Sequence, residues 1–232
     1  MQLPFSREQF LDVFRGYNDA IGIMPALLVG LAIALVAAAY SRSEKKHRAI
    51  AAGLAVLWIW SGAVYHWGFF ARINPAAQLF GALFLVQAGV LLALGVLRSR
   101  LKFEPRGQRQ GSTVMGWALI AYALVGYPLL GAALGHGYPN GPSFGAPCPT
   151  TIFFFGLMFW VEGKIPVMLV ALPVAWAVVG TSAAVQLGIP EDFGLAVAAV
   201  LVAGELLRRR LVTSATLLRP PAAGHNGITR HA

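Results

Sequence analysis

Residues 77–97 read AQLFGALFLVQAGVLLALGVL and contain no charged side chain. An α-helix needs about 20 consecutive apolar residues to cross the hydrocarbon core of a bilayer. Apolar runs recur along the 232-residue chain, in which 57% of residues are hydrophobic and 12% are charged. An average soluble domain has about 25% charged residues. The sequence therefore predicts an all-α fold, a polytopic transmembrane helical bundle.

Seven apolar segments divide the chain. They lie near residues 20–40, 49–70, 77–97, 113–134, 150–161, 165–183 and 192–207. Fifteen of the eighteen Lys and Arg residues fall after the first, third and fifth segments or in the C-terminal tail. Because cytoplasmic loops carry an excess of Lys and Arg, seven spans with the N-terminus outside and the C-terminus cytoplasmic are predicted.

The fifth predicted span is short. From Pro149 to Val161 the chain has 13 residues, which rise about 20 Å as a helix, whereas the hydrocarbon core is about 30 Å thick. This helix is therefore expected to begin below the outer surface. The backbone that leads into it would then lie at membrane depth, which is tolerated only inside protein or beside a wet cavity.

The two ends of the chain differ from the seven-helix domain of residues 20–207. In residues 1–19, Ser6 and Gln9 have the spacing of a helix capping box, and the segment is amphipathic. This pattern predicts a helix at the membrane interface, with an extension of the first span as the alternative. Residues 208–232 are basic and lack hydrophobic periodicity, which predicts a disordered cytoplasmic tail.

A Gly/Pro-rich stretch, GHGYPNGPSFGAPCPTT at residues 135–151, holds the only cysteine and no Lys or Arg. On the predicted topology it lies on the outer face, beside the outer ends of the second, fourth and seventh spans. Polar side chains gather at this face and predict an outward-facing polar pocket. The candidate substrate-binding residues are His66, Arg72, Tyr127, His136, Cys148, Thr150, Thr151 and Asp192.

Several of these residues also have an ordinary structural explanation. His66 lies between Tyr65 and Trp67 and could belong to an interfacial aromatic belt. Arg72 could cap the preceding helix. Glu191 and Asp192 follow Pro190, where acidic side chains favour the start of a helix.

Cys148 has two interpretations. Its position at a predicted helix N-terminus would lower the thiol pKa, and the hydroxyls of Thr150 and Thr151 beside free amides suit an anion. Together with His66 or His136, the thiol could bind a soft metal. Alternatively, Cys148 is a small buried hydrophobic residue.

Other classes are excluded or disfavoured. The net charge of +9 arises in short loops, where it matches anionic lipid headgroups, and nucleic-acid binding is not expected. The chain has no His-Glu-x-x-His and no Gly-x-Ser-x-Gly sequence, which excludes zincin-type proteases and the serine-hydrolase elbow. No cofactor is identified.

Four strings together resemble an uncharacterised family of bacterial multi-pass membrane proteins. They are YHWGFFARINPAAQLFGALF (65–84), GYPLLGAALGHGYP (126–139), FGAPCPTTIFFFG (144–156) and GIPEDFGL (188–195). The resemblance implies a bacterial inner-membrane location but no established activity. The residues favour binding or transport of a small solute, since short helices mark transporter sites. The alternatives are a membrane-embedded metal or thiol enzyme or redox subunit, and an accessory subunit without chemistry.

Overall fold

The protein is all-α. A computed structural model describes residues 3–217, and within that range there is no β-strand, only isolated bridges such as that between Phe103 and Val161. The helices are α1 (Arg7–Ile21), α2 (Met24–Ala39), α3 (Lys46–Ile59), α4 (Ala77–Leu91), α5 (Gln110–Ala121), α6 (Tyr127–Ala133), α7 (Pro147–Met158), α8 (Val167–Leu187) and α9 (Phe193–Leu217). The structure therefore confirms the predicted all-α class.

Four helical stretches in the described part of the chain are long and apolar enough to cross a membrane. They are Lys46–Arg72, Ala77–Leu97, Gln110–Ala133 and Val167–Leu187. A fifth arises if α1 and α2, which meet at an angle of 83°, are taken as one bent span. Length and composition therefore support four or five spans and do not support seven. The number of spans is lower than predicted for physical reasons. α7 has only 12 residues, and the long α9 carries Glu205 and three arginines.

Three of the long helices change their winding partway along. α3, α4 and α5 continue directly into π-helical segments at Trp60–Trp67, Leu92–Leu97 and Tyr122–Gly126. A π-helical turn closes hydrogen bonds one residue further along than an α-helix, which re-aims the side chains that follow. The first segment holds His66, and the third directly precedes Tyr127.

The first π-helical segment packs closely on α4. A Cβ atom on Gly62 would lie 2.9 Å from the carbonyl oxygen of Gly81. Glycine at this position therefore lets the two backbones approach within contact distance.

The short helix α7 lies at the centre of the bundle. All of its residues except Cys148 are buried, as are the residues after it up to Val161. Twelve residues rise about 18 Å, so the helix is shorter than a bilayer core. Residues 135–146 of the Gly/Pro stretch lead into its N-terminal end. The connection between α4 and α5 covers its other end, where the Glu104 amide donates to the Trp160 carbonyl over 2.8 Å.

The N-terminal helix forms as the sequence predicts but packs differently. The capping box of Ser6 and Gln9 is present. The apolar face, however, is covered by protein: Phe10 and Phe14 are buried against Phe70 and Tyr65. α1 therefore closes the end of the bundle that contains the start of α7.

The C-terminal boundary of the bundle lies later than predicted. Helix α9 continues through residues 208–210 and ends at Leu217, so the beginning of the predicted tail is helical. The remainder of that predicted tail, residues 218–232, lies outside the described residues.

Candidate functional site

The Gly/Pro stretch is tied to two helices by hydrogen bonds that are mostly buried. Asn18 of α1 donates from Nδ2 to the carbonyl oxygens of Pro139 and Gly141, at 2.7 and 2.9 Å. Its Oδ1 accepts from Ser143 Oγ at 2.6 Å. Ser61, in the π-helical segment after α3, donates to the Gly145 carbonyl at 2.8 Å. The loop is therefore fixed where it meets the acidic residues that precede α9.

The first of these acidic residues pairs with the loop histidine. Glu191 Oε1 lies 2.7 Å from His136 Nε2, and the side chains are 0% and 3% exposed. His136 Nδ1 lies 3.3 Å from the Leu134 carbonyl oxygen. The second carboxyl oxygen of Glu191 is buried and has no hydrogen-bond partner among the described residues. A buried carboxyl oxygen in this state is ready to accept a hydrogen bond from water or a ligand.

The second acidic residue, Asp192, lies in a cluster with side chains from three helices, α6, α7 and α8. Tyr127 of α6 donates from its hydroxyl to Asp192 Oδ1 at 2.5 Å. The thiol of Cys148, at the start of α7, lies beside the same carboxyl, and the Trp176 side chain of α8 lies beside that thiol. Asp192 belongs to the 3₁₀ turn Pro190–Asp192 between α8 and α9. Burial raises its pKa to about 7, although the hydrogen bonds from Tyr127 and Cys148 favour the ionised form.

The thiol of Cys148 is not activated by its place at a helix N-terminus. Cys148 is the one residue of α7 that is partly exposed, and the carboxyl of Asp192 lies beside its thiol. A neighbouring carboxylate disfavours a thiolate, which opposes the activation expected from the helix dipole.

A cavity of about 330 Å³ opens beside Asp192 and Cys148. Its walls come from the residues before α1, from α1 itself, from the end of the π-helical segment after α3, and from α8. The lining is mainly aromatic, with Phe5, Phe10, Phe14, Phe70, Phe80 and Trp176. Among the described lining residues, Asp192 is the one carboxyl, and none is Lys, Arg or His. The cavity is therefore more apolar than the polar pocket expected from the sequence.

A smaller cavity of about 140 Å³ lies on the other side of the acidic pair. Tyr127, His136 and Glu191 line it, while Asp192 and Cys148 line the larger one. Pro142 borders both cavities. The two neighbouring carboxyl groups thus stand between two cavities, one facing each.

The structure brings together four of the eight candidate residues. Tyr127, His136, Cys148 and Asp192 lie in this cluster. The two threonines lie in α7: Thr151 donates to the Pro147 carbonyl at 2.7 Å, and the buried Thr150 hydroxyl has no partner among the described residues.

The remaining two candidates lie apart from the cluster. Arg72 is exposed, and its guanidinium stacks on the Phe69 ring at 4.7 Å. His66 is fully buried among aromatic rings, with Phe84 and Trp176 at 4.8 and 5.1 Å between centroids. Neither of its ring nitrogens has a hydrogen-bond partner among the described residues.

The proposed metal ligands do not form a metal site. Within residues 3–217, no group of three or more His, Cys, Asp and Glu side chains is arranged to hold a metal ion. His66, His136 and Cys148 therefore do not converge.

Sequence reasoning missed three parts of the site. Glu191 had a local explanation as a helix-start acid, and nothing in the sequence linked it to His136. Asn18 was one of several polar residues before the first predicted span, and nothing distinguished it from the others. The aromatic residues at the N-terminus carried a signal, since Phe10 and Phe14 share one face of an amphipathic helix, but that face was assigned to lipid.

Residues 7–216 match a family of unknown function (DUF6064). Neither the curated proteins nor the solved structures contain a significant match.

Proposed function

We propose a function from the site itself for this chain, which belongs to the DUF6064 family of unknown function. The protein binds a small amphipathic solute in the larger cavity, as the binding step of its movement across a membrane. The observation that carries the proposal is an aromatic cavity of about 330 Å³ with a buried carboxyl, Asp192, in its wall.

The size and lining of the cavity support solute binding. Ligand pockets are typically about 300–1,000 Å³, mostly apolar, with a few placed polar groups. Here the rings of Phe10, Phe14 and Phe70 offer contact to an apolar body, and Asp192 and Cys148 offer contact to a polar head. A solute that fills the cavity would contact water only at the mouth of the cavity.

The membrane placement is part of the proposal. We place the bundle in a bacterial inner membrane, with the N-terminus and the Gly/Pro stretch outside and the C-terminus in the cytoplasm. The distribution of Lys and Arg supports this orientation. Seven segments then cross, and α7 crosses only the middle of the bilayer, where the loops at its two ends are packed in protein. The basic inner surface would contact anionic headgroups.

Labelling of Cys148, the only cysteine, tests the proposal. We expect a membrane-impermeant maleimide to label it slowly from the outside of intact cells. The neutral probe N-phenyl-1-naphthylamine should protect it in purified protein. Ala183→Phe should abolish labelling, because Ala183 lines the cavity and a phenyl ring in its place would block access to Cys148.

The matched control is Val185→Phe on the same helix, at a position that is 66% exposed and outside the cavity lining. It should behave as the wild type. Labelling only from the cytoplasmic side would contradict the orientation. Labelling and protection that are the same in both variants would contradict solute binding in this cavity.

A further inference from the structure

The charge of the larger cavity narrows the class of solute that it takes. Asp192 is buried, and its donors are the neutral groups of Tyr127 and Cys148. The ion pairs of the described residues join other partners, so no Lys or Arg within residues 3–217 neutralises this carboxyl. An ionised carboxylate buried without a cation is strongly unfavourable.

Among the described residues, no titratable group that faces Asp192 offers it a free positive charge. The groups that face it are Tyr65, Tyr122, Tyr127, Cys148, Glu191 and His136. Only His136 among them can carry a positive charge, and its ring nitrogen is already 2.7 Å from Glu191. If that pair is ionised, its charges cancel. Asp192 is then left with two ways to be neutral: it binds a proton, or it pairs with a cation that enters the cavity.

The walls of the cavity favour a cation with an apolar body. Aromatic ring faces carry partial negative charge and attract ammonium groups, more strongly where water is excluded. Phe10, Phe14, Phe70 and Trp176 line the cavity, and no cationic side chain among the described lining residues competes for them. An anionic solute would meet an unpaired carboxyl and no positive group.

We propose that the larger cavity binds small apolar cations, of the class of ammonium groups with an aromatic or aliphatic body, in exchange for a proton on Asp192. This inference rests on the proposed function, because it names the solute class of the same cavity. In this exchange the carboxyl of Asp192 releases one proton to water as one cation pairs with the carboxylate. Only the O–H bond of the carboxyl breaks.

The test uses two probes of nearly the same shape. Benzyltrimethylammonium is a permanent cation, and neopentylbenzene replaces its nitrogen by carbon and is neutral. Protection of Cys148 from N-ethylmaleimide in the full-length protein in lipid nanodiscs reports occupancy. Each rate is compared with the rate of the same variant at the same pH without probe, so changes in thiol reactivity cancel.

We expect the cation to protect at roughly tenfold lower concentration than the neutral probe at pH 8, the ratio that about 1.4 kcal/mol of extra binding gives. Asp192→Asn should remove this difference. In the wild type, lowering the pH to 6 should weaken cation binding roughly tenfold, because the pKa of Asp192 is about 7 and protons then compete. Neutral-probe binding should not change. Glu162→Gln, at an exposed carboxyl outside the cavity lining, is the control.

The outcomes separate this inference from the proposed function. Equal protection by both probes, unchanged by pH in the wild type, would overturn the cation site while solute binding stands. The wild-type pH series decides this even if Asp192→Asn does not fold. If neither probe protects Cys148 at either pH, both the cation site and the binding cavity are wrong.

Discussion

Tyr127 and Asp192 are 65 residues apart in sequence, yet the tyrosine hydroxyl donates a 2.5 Å hydrogen bond to the aspartate carboxyl. The bond joins α6 to the turn before α9, and both groups are buried. It favours the ionised form of Asp192, while burial favours the protonated form and is the stronger effect. The carboxyl is thereby held with a pKa near neutrality, where either state is accessible.

The first prediction concerns stability and pH. Because the pKa of Asp192 rises from 3.8 to about 7 on folding, the folded chain binds more protons than the unfolded chain between these values. Its contribution to stability is complete below pH 4 and is lost as the pH rises through 7, by roughly 4 kcal/mol in all. Thermal unfolding in detergent should show the wild type losing stability from pH 5 to 8 relative to Asp192→Asn. Parallel curves for the two proteins would contradict the prediction.

The second prediction concerns the reactivity of Cys148. The negative charge of Asp192 disfavours the thiolate of Cys148, so Asp192→Asn should favour the thiolate and speed maleimide labelling at pH 8. The thiolate fraction rises roughly tenfold for each unit by which the thiol pKa falls. The difference should shrink at pH 5.5, where the aspartate is protonated. A rate that does not change at pH 8 would show that the two groups do not interact.

The third prediction concerns the anchoring of the Gly/Pro stretch. Asn18→Ala removes three hydrogen bonds to residues 139–143, two of them buried, and should destabilise the fold by roughly 2–4 kcal/mol. It should also expose the loop to limited proteolysis. The neighbouring Asp19 is exposed, and Asp19→Ala should change stability by less than about 0.5 kcal/mol. Equal effects of the two substitutions would mean that Asn18 does not hold the loop.

The fourth prediction concerns the C-terminal end of α7. Arg209 of α9 donates to the carbonyl oxygens of Phe159, Val161 and Gly163, at 3.2, 2.5 and 2.9 Å. Arg209→Ala leaves these groups without their cationic partner and should cost on the order of 3 kcal/mol in unfolding free energy. Arg210→Ala removes an exposed charge next to it and serves as the control. Chemical denaturation of both variants would decide, and similar midpoints would refute the role of Arg209.

The all-α class and some local helix features could be predicted from the sequence, because apolar runs and caps are local signals. The capping box of Ser6 and Gln9 and the short α7 are examples. The seven predicted spans were not supported, because α7 is short, α9 carries charged residues, and α1 and α2 meet at an angle of 83°. Gly22 lies between the two helices and has a positive φ of 56°. Because glycine occurs at many positions of this chain, its presence there did not predict the bend.

The candidate site was predicted only in part, for a similar reason. The gathering of Tyr127, His136, Cys148 and Asp192 followed from counting charges and helix ends. The pairing of Glu191 with His136, and the isolation of His66 among aromatic rings, depend on how helices rotate about their axes. Three π-helical segments alter that rotation, and hydrophobic periodicity does not reveal them.

The burial of α7 on all sides has a consequence for how the chain is made. In the proposed membrane placement, a twelve-residue segment with no surface for lipid is a weak substrate for the insertion machinery, which selects segments by length and hydrophobicity. We expect α7 to reach its place only after α8 and α9 are synthesised and close around it. Glycosylation mapping of nascent chains that end before residue 165 should therefore find α7 outside the bilayer, and the complete chain should not.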